Sequence, residues 1–280
     1  MYTARMPAIL LYGAAFLLYA GLAAHFWRTR WRGADAPGFA RWERAAILVP
    51  LAIHTWLIYD MLLGHAELRF GFGQALSMML WLAVIIYWVE SRFMRLEGMQ
   101  APVLALAAVC VPLPALFPGL VSPASAATHS TELRLHLAVA MIAYGLFTIA
   151  ALHALLMTLM ERRLHGGPIA GPLAALPPLL TMEQLLFRVI LVGFAFLTLT
   201  VLTGVVFSET LFGKAMKFDH KTVFAIASWF IFAALLAGRY FRGWRGRTAL
   251  RWTLAGFVAL LLAYVGSRFV LEVILQRGLA

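Results

Sequence analysis

The chain has 280 residues, 63% of them hydrophobic and 12% charged, and carries a formal net charge of +11. Ordinary soluble domains run at about 45–50% apolar and about 25% charged, so a core this large cannot be covered by the chain's own polar surface, and lipid is the expected solvent. The excess Lys and Arg lie in short connections between apolar runs, which is the pattern of topology signals and of anionic-lipid contact and speaks against a nucleic-acid partner.

The first apolar run, 7–27, is long enough to cross a bilayer, which takes about 20 residues. One arginine, Arg5, precedes it and several follow, the reverse of the charge order of a cleavable signal, so it reads as a retained helix. Runs 45–64 and 72–89 follow, the former carrying Ile53-His54-Thr55-Trp56 near its middle. An ionisable residue inside a span is a functional hypothesis. For His54 it stands beside the plainer reading of a neutral imidazole bonded to a neighbouring helix. The fourth run, 101–121, holds the single cysteine, Cys110, and that count excludes an internal disulfide framework, a Cys-ligated metal site and a dithiol centre. Pro112, Pro114 and Pro118 forbid a straight helix throughout it, and a break is expected where Pro118-Gly119 leads into the small-residue loop Ser122 to Ser130. The fifth run, 134–160, opens with His136 and carries His153 near its other end. The sixth is 186–208, the seventh 221–240 and the eighth 249–276. The expectation is an all-α polytopic membrane protein of about eight transmembrane helices, forming one domain over 1–280.

The 23 Lys and Arg divide unequally between alternate connections, and this sets the direction of the spans. Fifteen of them, including Arg28, Arg30, Arg32, Arg41 and Arg44 in one connection and Arg239, Arg242, Arg245, Arg247 and Arg251 in another, fall in the set assigned to the cytoplasm. The remaining eight fall outside, and both termini then face outward. Three of those eight, Lys214, Lys217 and Lys221, crowd into the single connection Ser208 to Lys221, where the positive-inside rule disfavours them.

No GxSxG, Walker, HExxH or CxxC pattern is present, so no catalytic activity is expected of the chain alone. Histidine is the chemistry-bearing residue. His136 and His220 share the outer surface, whereas His153 lies about 25 Å below His136 along the same helix, too far to share one ligand. Two imidazoles with Lys214, Lys217, Lys221 and Arg134 nearby have the make-up of a site that ligates an iron porphyrin axially and neutralises its propionates. Equally, two surface histidines and four loop cations need never meet. Asp219 is placed either to orient the His220 ring or to cap the seventh helix. His153 reads as structural, His25, His65 and His165 as interfacial or loop residues, and His129 as a weaker spare candidate.

From about Leu133 onward the chain resembles the cytochrome c assembly protein family, which includes the CcsA- and CcmC-type haem-handling membrane proteins, and most of all its HemX- and YpjD-like branch. The residues that carry the resemblance run from Leu135-His136-Leu137 through Ala143-Tyr144-Gly145 to Leu176-Pro177-Pro178-Leu179-Leu180-Thr181-Met182-Glu183. They continue with Phe218-Asp219-His220-Lys221-Thr222, Gly243-Trp244-Arg245-Gly246-Arg247 and Ala263-Tyr264-Val265-Gly266-Ser267-Arg268-Phe269. The first half agrees more loosely, through His54, Ala75-Leu76-Ser77 with Trp81, and Pro112 to Gly119. The resemblance implies an outer loop that presents haem between external histidines, with His136 on the first of them. It places Phe218 to Thr222 on the segment where assembly proteins read Trp-Asp-Pro-Lys-Glu. This chain departs from that pattern in three ways: no tryptophan lies between Phe207 and Phe224, His220 stands where the family has Pro, and no second flanking histidine follows Gln276-Arg277. Either His220 takes the second ligand's place, or this branch no longer presents haem in that way.

The function so implied is haem handling or cytochrome c biogenesis in a bacterial cytoplasmic (inner) membrane. Non-covalent b-type haem is the expected cofactor, with His136 and His220 as ligands, Asp219 orienting, and Lys214, Lys217 and Lys221 at the propionates. His54 is a further intramembrane candidate. The bilayer, haem and other cytochrome-biogenesis membrane proteins are the expected partners. A membrane regulator or scaffold linked to haem biosynthesis, and a transporter of another small solute, are the alternatives.

Overall fold

The computed structural model describes residues 5–31, 41–64, 70–94, 96, 98–119, 131–164, 178–212 and 220–275. The helices are α1 (Arg5–Phe26, continued by a π-helical turn Trp27–Trp31), α2 (Arg41–Leu63), α3 (Phe72–Phe93), α4 (Gln100–Cys110), α5 (Leu113–Leu116), α6 (Thr131–Leu164), α7 (Leu179–Phe212), α8 (His220–Arg242) and α9 (Gly246–Leu261). Beyond α9 the chain stays helical through wide turns at Leu262–Gly266 and Val270–Ile274, with the short α10 (Ser267–Phe269) between them. Seven of these stretches are long and apolar enough to cross a membrane, and Gln100–Leu116 is a shorter eighth.

That eighth stretch differs in detail from the sequence reading. The interruption comes at Val111-Pro112 and not at Pro118-Gly119, and the helix ends at Leu116. Pro112 has no N–H to continue the ladder and its ring opposes the carbonyl one turn back. Pro114 sits inside the first turn of α5, where a missing N–H costs nothing. Pro118 therefore lies beyond a helix that has already stopped.

With no water in the hydrocarbon, each polar side chain needs a partner inside the protein. The threonines find theirs one turn back in their own helix: Thr55 donates to Leu51 O, Thr148 to Tyr144 O, Thr198 to Phe194 O and Thr253 to Ala249 O, all at 2.7–2.8 Å. Apolar side chains such as Leu17, Val109, Leu191 and Phe230 stay exposed on α1, α4, α7 and α8, a pattern that suits lipid and not water.

The most buried spans are α3 and α6, which run parallel and pack on each other at the centre. Small residues bring the backbones close, as membrane helix packing requires. A Cβ on Gly145 of α6 would lie 2.7 Å from Leu82 Cβ of α3. Phe147 of α6 stacks on Phe232 of α8 with centroids 3.8 Å apart. Gly193 of α7 faces the Phe147 ring and Gly256 of α9 faces the Phe232 ring. Tyr144 donates to Leu260 O at 2.6 Å, pinning α6 to α9.

Candidate functional site

The ends of α6, α7 and α8 that the Lys and Arg asymmetry assigns to the outside carry the sequence candidates. At 34 residues each, α6 and α7 extend about 51 Å, well past a hydrocarbon core of about 30 Å, so their termini stand in the head-group region or beyond. His136, half-buried, faces α7, where its Nδ1 lies 2.8 Å from Thr203 Oγ1. Thr203 donates its only hydroxyl proton to Leu199 O at 2.7 Å, shared with Thr200 O at 3.2 Å. The hydroxyl oxygen can then only accept from His136, so Nδ1 carries the hydrogen and Nε2 is the imine nitrogen, the form in which histidine ligates a metal. Gly204 flanks the ring, and a Cβ there would still make only ordinary contact, 3.5 Å from Cε1.

His220 is exposed at the first position of α8. Two cross-helix contacts fix its height relative to His136. From the Phe147–Phe232 stack, His136 is 11 residues outward and His220 is 12, a difference of about 2 Å along parallel helices. Trp229 Nε1 donates to Thr198 Oγ1 at 2.9 Å. Counting outward from that bond puts His220 about 6 Å beyond Thr203. By these two counts the histidines differ in height by about 2–6 Å. Arg268 reaches the level of His136 by the Tyr144–Leu260 bond, eight residues outward on each helix, with its guanidinium over the Tyr264 ring at 5.6 Å and 3.9 Å from Glu272. Lys221 lies beside His220 and Arg134 is exposed two residues before His136. Asp219, Lys214 and Lys217, with the spare candidate His129 and the loop residues His65 and His165, fall outside the described residues.

His54 occupies a different place. Fully buried, it has Nε2 2.9 Å from Ser77 Oγ of α3 and Nδ1 3.4 Å from Tyr19 Oη of α1. Both ring nitrogens are taken up by hydroxyls, so the residue clasps three helices together. Trp81 Nε1 donating to Thr55 Oγ1 at 2.9 Å repeats the α3–α2 tie one step away. His25 bonds Glu43 at 2.9 Å at the inner end of α1, where Arg30 also reaches Glu43 at 2.7 Å.

Sequence reasoning passed over two groups. Thr203, whose acceptor sets the His136 tautomer, is one residue in a run of apolar and threonine positions and gives no signal by itself. Glu183 was visible only as the end of a resemblance motif. Nearly buried at the inner end of α7, it accepts from Arg239 at 2.7 Å, Arg245 at 3.0 Å and the Gly246 backbone N–H at 3.3 Å. Its carboxylate thereby caps the first turn of α9. Gly243 (φ +66°) and Gly246 (φ +52°) let the chain reverse between α8 and α9 in three residues. Trp244 packs over Gly238, a position that any Cβ would close. The signal available was a lone carboxylate close to the most arginine-rich connection.

Among the described residues no cluster of three or more His, Cys, Asp and Glu side chains has metal-site spacing. An iron porphyrin needs none, because it brings four nitrogens and takes only axial donors from the protein. His136, with its Nδ1–H held by Thr203, has the chemistry of such a donor.

Residues 43–275 match the profile of the family described as Cytochrome C assembly protein. The inner membrane protein YpjD of Escherichia coli is 37% identical over 139 residues, covering 50% of this chain and 52% of YpjD. Cytochrome c biogenesis protein CcsA of Gloeobacter violaceus is 34% identical over 92 residues, covering 33% of this chain and 27% of that protein. CcsA of Chlamydomonas reinhardtii is 28% identical over 151 residues, covering 54% and 42%. The chain therefore spans about half the length, or less, of the curated relatives it matches.

Proposed function

The chain belongs to the cytochrome c assembly protein family, and from that premise we propose that it handles haem at the outer face of a bacterial inner membrane, holding it non-covalently between His136 and His220. What supports the reading is a histidine whose tautomer suits ligation, together with a second histidine within about 2–6 Å of its height by helix rise. The membrane assignment draws on the eight apolar helices and on the name of the inner membrane relative. The name of the CcsA relatives, cytochrome c biogenesis proteins, supports cytochrome assembly as the process and other membrane proteins of that process as partners.

Haem is cargo or ligand here, and what it supplies is a redox-active iron with two open axial positions. The chain's own residues orient and neutralise. Thr203 keeps the His136 lone pair on Nε2. Lys221 and Arg134 put positive charge toward that level of the outer face, which suits carboxylates such as propionates, while the Arg268 guanidinium there faces Glu272; Lys214, Lys217 and Asp219 join this set by sequence position. No reaction is assigned to the chain alone.

The test is purification in mild detergent followed by a reduced-minus-oxidised spectrum, before and after adding haem. The expected result is a Soret band that His136→Ala with His220→Ala abolishes. Absence of the band after haem addition, or an unchanged band in the double variant, overturns the reading. A partner that co-purifies equally well with that variant would favour a scaffold.

A further inference from the structure

A second buried site lies at the opposite end of the α3–α6 pair. His153 of α6 is fully buried, and its Nδ1 lies 2.9 Å from Ile149 O. A carbonyl only accepts, so Nδ1 carries a hydrogen. The other ring nitrogen, Nε2, faces Glu90 Oε2 of α3 at 3.9 Å, and neither atom has a hydrogen-bond partner. The imine nitrogen of a neutral imidazole and the oxygen of a carboxylate are both acceptors. Two bare acceptors facing each other in an apolar interior leave an uncompensated negative charge. One proton on the carboxyl removes the charge, and an approach of about 1 Å from the 3.9 Å separation then turns the mismatch into an O–H···N hydrogen bond.

We propose that Glu90 and His153 form a buried proton-binding site, holding one exchangeable proton on the Glu90 carboxyl against the His153 imine nitrogen. The proton belongs on oxygen because a desolvated ion pair needs further hydrogen bonds to offset its cost, and Oε2 has none. Helix register, not loop conformation, sets the pair. Gly145 meets Leu82, and His153 meets Glu90 eight residues further along each of two parallel helices. The acidic groups that neighbouring elements bring to this end are committed elsewhere: Glu43 of α2 to Arg30 and His25, Glu161 of α6 to Arg247 of α9, and Glu183 of α7 to Arg239 and Arg245. Among nearby cations, Arg92 lies over the Trp88 ring at 5.1 Å; Arg44 of α2 comes to the same end of the bundle, where its backbone carbonyl ties α2 to Trp88 Nε1 at 3.3 Å. The Glu90 side chain retains 12% exposure against none for His153. Glu90 also sits one turn from the inner end of α3, so it is the door through which the proton exchanges with the inner side. The site is independent of haem.

The experiment is infrared spectroscopy of the purified protein in nanodiscs near neutral pH, in H₂O and D₂O. The native protein should show the carbonyl stretch of a protonated carboxyl, shifted by deuterium. Glu90→Gln should abolish it, and His153→Phe should move its frequency. His153→Gln, which keeps a polar atom, serves if the phenylalanine variant does not fold, and should also move it. A native spectrum without the band overturns the proposal, as does a band that survives Glu90→Gln. An imidazolium signal in nitrogen NMR without the carboxyl band overturns the placement on oxygen and with it the site as proposed.

Discussion

Replacing Thr203 by Val removes the acceptor for His136 Nδ1–H while keeping a branched side chain of nearly the same shape. The lost bond, 2.8 Å and half-buried, is worth about 1 kcal/mol of net stability, a small drop in melting temperature. The larger effect falls on ligand binding. Without the hydroxyl oxygen the hydrogen is no longer confined to Nδ1, and the ring is no longer fixed against α7. Loss of such an outer partner typically weakens metal affinity roughly 10–100-fold, or about 1.4–2.7 kcal/mol. The assay is a haem titration of detergent-purified protein followed at the Soret band, with His136→Ala as the floor. Thr203→Ser keeps the acceptor and should bind as the native protein does. Native affinity in Thr203→Val, or a serine variant as weak as the valine one, would refute the role assigned to this hydroxyl.

Two further outcomes test the packing. Glu183→Gln should cost about 2–3 kcal/mol, since a charged acceptor of three donors is neutralised. In double-mutant cycles it should couple more strongly to Arg239 than to Arg245, whose side chain is 54% exposed against 27%; equal coupling would count against this order. Gly256→Ala places a Cβ 2.7 Å from a fully buried ring that is already stacked on Phe147. The expected loss is about 1–3 kcal/mol in a detergent melt, relieved by Phe232→Leu, and an unaltered melt would show that the ring can yield.

Hydropathy was enough to locate the spans because burial in lipid is a property of each segment by itself. It misplaced the break in the fourth because three prolines in seven residues each qualify, and only packing selects Pro112. His136 was legible as a candidate, but its partner Thr203 lies 67 residues away on another helix, and nothing local distinguishes that threonine from Thr198 or Thr200. His54 was an open choice between ligand and clasp; the hydroxyls of Tyr19 and Ser77 come from two other helices, so only the assembled bundle displays the clasp. His153 was set aside as structural for the same reason. Its chemistry arises from facing Glu90, and pairwise juxtaposition across helices leaves no period in the sequence.

The parallel pairing of α3 with α6 carries a consequence for synthesis. Gln74 and Ser77 of α3 find their partners, Phe117 O and His54, within the first four spans, so that half can close as soon as it is inserted. Glu90 cannot, because its partner is 63 residues downstream. At roughly 5–20 residues per second of translation, that is a wait of about 3–13 s. During it, a carboxyl and the α3 face around Leu82 await the incoming sixth helix. The nascent first half therefore has an adhesive flank, and anything that detains α6, or offers a different helix to that flank, competes with correct assembly at this seam.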